Sequence, residues 1–161
     1  MKIKSNKGLS YIEVMIVLAI ASILVGLASI SLGLVSRSNV HKGADNLDLA
    51  FSKSRSISLA KGTEAGTLNI VNKNGTYFYY IGDGNTSEMK VLLRRPCYIE
   101  LNDPSLEDPV SISNGGVLTI SYVPTTGKMS NNMNIDKIYI KNGKSTATIE
   151  LVNATGKTIV K

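Results

Sequence analysis

Residues 8–35 read GLSYIEVMIVLAIASILVGLASISLGLV, and from Val14 to Val35 no side chain is charged. A helix of those roughly 22 residues is about 33 Å long, enough to cross the hydrocarbon core of a bilayer. Lys2, Lys4 and Lys7 precede the run. Basic residues hold their end of a span in the cytoplasm, so Arg37 and all that follows are expected across the membrane. Glu13 stands at the mouth of the run. An isolated carboxylate there costs on the order of 2 kcal/mol or more. Neither a cleaved secretory signal nor a plain signal anchor needs it. A cation would make it tolerable, and the nearest new one is the amine that a cut after Gly8 would expose. A glycine before the cut also lets the backbone enter a protease site closely, because it has no Cβ.

Gly8 followed by Leu9, Glu13 as the fifth residue beyond the cut, and the long apolar run after it resemble the class III prepilin signal of type IV pilins and type II secretion pseudopilins. The resemblance implies a prepilin peptidase that cuts after Gly8 and methylates the new N-terminal residue, Leu9. Methylation keeps that amine charged. It also implies that Glu13 pairs with the N-terminal amine of a neighbouring subunit. The implied partners are other pilin or pseudopilin subunits, the assembly platform and, before assembly, membrane lipid. The implied location is a prokaryotic cytoplasmic membrane, single-pass with the N-terminus inside, and a surface pilus or pseudopilus after assembly. Leu9 stands where the family most often has Phe. The first proline is Pro96, whereas many pilins carry one near the position of Ile30.

Ser22, Gly26, Ser29 and Gly33 recur at steps of four, three and four, which puts them on one helical face. Small residues in a stripe let helices approach closely, as the packing of many such helices in a filament core requires; facing lipid is the alternative. The helical period continues beyond the run. Val40, Ala44, Leu47, Ala50, Phe51, Ser54 and Ile57 share one face, with Lys42, Asp45, Asn46, Asp48, Ser52, Lys53 and Ser56 outside it. One long helix is expected from about Leu9 to Lys61, stopped by Gly62. Leu49 falls opposite the core face.

From Gly66 the period changes to two. Leu68 and Ile70 alternate with polar residues, Lys73 to Gly75 make a turn, and Thr76 to Ile81 is β-branched and aromatic, so a hairpin is expected. Further strands are expected at Lys90–Leu93, Tyr98–Leu101, Val117–Val123, Ile135–Lys141, Ala147–Val152 and Thr158–Val160. Asn142 with Gly143, and Thr155 with Gly156, separate the last three. This order of elements is similar to that of GspH/FimT-type minor pilins. The expected class is α+β and pilin-like, a long N-terminal helix packed on a C-terminal antiparallel sheet. Its divisions are a leader at 1–8, a transmembrane and assembly helix at 9–35, an amphipathic helix at 36–62 and a β-rich domain at 63–161.

The rest of the 161-residue chain excludes more than it assigns. The length suits one domain with an appendage. Cys97 and His41 are each the sole residue of their type, so disulfide frameworks and His- or Cys-rich metal sites are excluded. No nucleophile arrangement accompanies His41, no enzyme assignment follows, and no cofactor is implied. Asp83, Asn85, Ser87 and Glu88 have the oxygen-rich spacing of a calcium loop but lack its downstream bidentate glutamate, which favours a plain turn. Net charge is +6, and loss of residues 1–8 leaves 15 basic against 12 acidic residues. Arg94, Arg95, Lys157 and Lys161 are candidate DNA contacts, with a solvated basic face as the bland alternative. The functional expectation is a structural minor pilin or pseudopilin. A DNA-binding pilin of an uptake system and an uncleaved, membrane-anchored binding domain are the alternatives.

Overall fold

The computed structural model describes residues 10–82, 89–130 and 134–161, and within its long helix the side chains of residues 27–32 lie outside the description. Helix α1 (Tyr11–Lys61) runs unbroken for 51 residues. The chain divides into two compact units after Val35, the second being Ser36–Lys161.

In the second unit α1 buries Val40, Ala44, Leu47, Ala50 and Phe51, each at most 1% exposed. The stripe continues through Ser54 to Ser58, both fully buried, whereas Ile57 is only half-buried. Ser54 was expected on the core face and is there; Ile57 was expected with it, but Ser58 takes that place because the chain folds back against it. Gly62 stops α1 with a positive φ of 99°, and its N–H donates to the Ser58 carbonyl at 2.9 Å. The single-turn helix α2 (Thr63–Gly66) follows. The Ser54 hydroxyl donates to the Gly66 carbonyl, and a Cβ on Gly66 would overlap Ser58. An apolar side chain at position 54 or 58 would push this return away.

The strands form two five-stranded antiparallel sheets, not the single sheet expected. The first joins β1 (Leu68–Lys73), β2 (Thr76–Ile81), β3 (Lys90–Leu93), β6 (Val117–Tyr122) and β7 (Met129–Ser130) in the order β3-β2-β1-β6-β7. The second joins β4 (Tyr98–Asn102), β5 (Val110–Ser111), β8 (Lys137–Asn142), β9 (Ser145–Val152) and β10 (Lys157–Val160) in the order β10-β9-β8-β4-β5. Alternation shows which face of a strand is buried and leaves its neighbour unspecified.

Both sheets and α1 share one core. Leu68 and Ile70 pair with Ile120 and Leu118, and Ile138 and Ile140 with Ile149 and Ala147. The central strand β1 is buried on both faces, so its asparagines need partners. The Asn72 amide donates to the Ile112 carbonyl at 2.7 Å, and the Asn69 carbonyl accepts from the Thr119 hydroxyl at 2.9 Å.

Candidate functional site

The first turn of α1 carries Glu13, which is exposed and has no ion-pair partner among the described residues. Its backbone N–H donates to the Ser10 carbonyl at 2.9 Å. A carboxylate is favoured at that end of a helix by the unpaired N–H groups and the macrodipole. Gly8 and Leu9 lie outside the described residues. From Tyr11 to Leu24 the large apolar side chains are between 41% and 81% exposed. Surface of that extent needs a lipid or protein cover. Among the described residues no helix is long and apolar enough to cross a membrane. The uncharged run includes residues 27–32, whose side chains the description omits.

Of the small-residue stripe, Ser22, Gly26 and Gly33 are exposed. The Ser22 hydroxyl donates back to the Leu18 carbonyl at 2.8 Å. A Cβ on Gly26 or Gly33 would meet nothing within 4 Å in the isolated chain. The side chain of Ser29 is not among those described.

The four candidate DNA contacts do not share a groove. Arg94 and Arg95 lie on the turn after β3 and line a cleft with Lys42. Lys157 lines a second cleft with Asp48 and Arg55, and Lys161 a third with Arg37 and Lys144. The Lys161 ammonium is paired with the Glu150 carboxylate at 2.8 Å. Lys144 was grouped from the sequence with Arg94, Arg95, Lys157 and Lys161 as one basic patch; Arg37 and Lys42 were not, because a helix and a turn so far apart in the chain share no local pattern.

Polar contacts tie the helix to β10 and to the turn between β6 and β7. The Thr158 hydroxyl donates to the Asp48 carboxylate, and the Arg55 guanidinium donates from Nε to the Gly127 carbonyl at 3.2 Å. Gly127 and Gly156 meet so closely that a Cβ on Gly156 would overlap the Gly127 carbonyl. Beneath them Tyr122 is fully buried, and its hydroxyl has no hydrogen-bond partner among the described residues. Burial pushes the phenol well above its ordinary pKa, with the Arg55 charge opposing and the Asp48 charge adding.

Cys97 is buried in the shared core as a small apolar group. Burial raises its thiol pKa, and a hydrogen bond with Asn142 pulls the other way. His41 is exposed on α1. Residues 83–88, with the calcium-loop spacing, lie outside the described residues. Elsewhere among the described residues no group of three or more His, Cys, Asp or Glu side chains is placed to hold a metal ion. The acidic loop after β4 folds on itself, Asp103 accepting from the Ser105 hydroxyl at 2.6 Å and its N–H at 2.9 Å. Those bonds hold the Asp103 carboxyl below its ordinary range.

Comparison of the chain with protein-family models, curated proteins and solved structures found no match in any of the three.

Proposed function

We propose that this chain is a minor pilin or pseudopilin, a structural subunit cut after Gly8 and assembled into a filament through its N-terminal helix. The observation that carries this is α1 itself. One helix has its second half in the core of a compact domain, while its first half presents exposed apolar side chains from Tyr11 to Leu24. A membrane stores such a helix and neighbouring copies can replace the lipid. Glu13 then meets a neighbour's N-terminal amine, which sets register, while close packing along Ser22, Gly26, Ser29 and Gly33 supplies most of the cohesion.

Before assembly residues 14–35 span the cytoplasmic membrane with the globular domain outside. The DNA-uptake alternative draws less support, since its four candidate cations are spread over three clefts and Lys161 is engaged by Glu150. The test is Glu13→Ala expressed in the native host. Cleavage after Gly8 should stay largely intact and recovery in sheared filaments should fall steeply; normal incorporation would remove the charge pair from the mechanism.

A further inference from the structure

Two clefts flank α1 between residues 37 and 46. One, of about 350 Å³, is lined by Arg37, His41, Lys144 and Lys161; the other, also about 350 Å³, by Lys42, Arg94 and Arg95. Neither lining contains an Asp or Glu. At 3.6 residues per turn, Arg37 and His41 lie on one flank of the helix and Asn39, Lys42 and Asn46 on the other, with the buried Val40, Ala44 and Leu47 between. Glu150 takes the Lys161 ammonium, and the acid of α1 between residues 37 and 46 is the exposed Asp45. Arg37, Lys42, Arg94, Arg95 and Lys144 have no ion-pair partner among the described residues. By contrast, the cleft at Lys157 includes Asp48, and the one beside α2 includes Glu64.

We propose that the two clefts hold the phosphates of anionic lipid headgroups, gripping α1 from both flanks where it leaves the bilayer. This rests on the membrane-spanning assignment of residues 14–35. Arg37 to Lys42 follow the end of the uncharged run by two to seven residues, and the headgroup layer on each side of a bilayer is roughly 5–8 Å thick. Basic side chains at that depth attract anionic lipid, each adding to the others within a Debye length. Arginine forks suit a phosphate in two-point contact. The grip must be released as the helix is drawn into a filament.

The test uses the full chain purified in detergent and native mass spectrometry of the lipid it retains, phosphatidylglycerol against phosphatidylcholine with matched acyl chains. The expected result is about tenfold preferential retention of phosphatidylglycerol, falling to near parity in the combined variant Arg37→Gln, Lys42→Gln, Arg94→Gln, Lys144→Gln. All four side chains are exposed, so the fold should persist; pairing Arg37→Gln with Lys144→Gln, or Lys42→Gln with Arg94→Gln, should each give a partial loss. Wild type and variant are compared with the same N-terminus, so any leader lysines cancel. Equal retention of the two lipids, or a preference unchanged in the combined variant, would overturn the proposal. So would complete displacement of phosphatidylglycerol by millimolar inorganic phosphate, or by duplex DNA. A chain starting at Leu9 with no lipid preference sinks this proposal and spares the pilin assignment; an uncut leader with a variant-sensitive preference does the reverse.

Discussion

Gly43 of α1 meets Leu93 of β3 so closely that a Cβ there would overlap Leu93 Cδ2 and lie 3.2 Å from its Cγ and 3.7 Å from Ile140 Cγ2 of β8, so a larger residue fits only if Leu93 shifts. Strands β3 and β8 belong to different sheets, so one missing side chain sets how deeply the helix seats against both. Gly43→Ala gains about 1 kcal/mol in helix propensity and incurs about 1–3 kcal/mol of overpacking. A net loss of about 1 kcal/mol is expected in urea denaturation. Gly33→Ala meets no neighbour in the isolated chain. It should leave stability unchanged or slightly raised, and lower filament recovery if the stripe packs against other subunits.

Thr158 and Asp48 are 110 residues apart in the chain and joined by one hydrogen bond. The contact fastens the edge strand β10 to the helix. Thr158→Val removes the donor and leaves a half-buried carboxylate short of a partner, which should cost about 1–2 kcal/mol. Hydrogen exchange should quicken along Lys157–Val160 more than along β8, because β10 is paired with β9 on one side only.

Tyr122 carries a buried hydroxyl without a partner, so Tyr122→Phe removes a desolvated polar atom and should leave stability equal or higher by up to about 2 kcal/mol. The pH dependence has a definite sign. The folded chain holds this proton above the ordinary phenol pKa of 10.0. The unfolded chain releases it from about pH 10, so its contribution is intact below that pH and is lost as pH rises beyond it. The difference in stability between wild type and Tyr122→Phe, measured from pH 9 to 11, should therefore shift steadily in favour of the variant.

Much of the fold was legible because it rests on period. The steps from Val40 to Phe51 gave the buried stripe of α1, and the asparagine and glycine turns marked the hairpins. Leu49, placed opposite the core, is 65% exposed. Strands of two residues, β5 and β7, left no period to read. The division into two sheets was hidden for a related reason: partners such as Val71 and Val117 are chosen by tertiary packing across long intervals. Ser58 illustrates the limit on the helix. Hydrophobicity favoured Ile57, but the close return of Gly66 needed a small neighbour. The cationic clefts were illegible because each joins side chains from separate elements.

On the proposed assignment Gly8 should tolerate no bulky replacement, since a peptidase cutting after it would have to reach the backbone there. Gly8→Leu is expected to accumulate as the uncut chain, seen as a mass increase over the mature form on intact-mass measurement. Release of the same mature chain from Gly8→Leu would move the cut elsewhere.

The most direct measurement is N-terminal peptide and intact mass spectrometry of the protein recovered from membranes of its native host. A chain beginning at N-methylated Leu9 is the predicted result. A chain still beginning at Met1, in cells whose prepilin peptidase is active, would contradict the pilin assignment and leave Glu13 without a role.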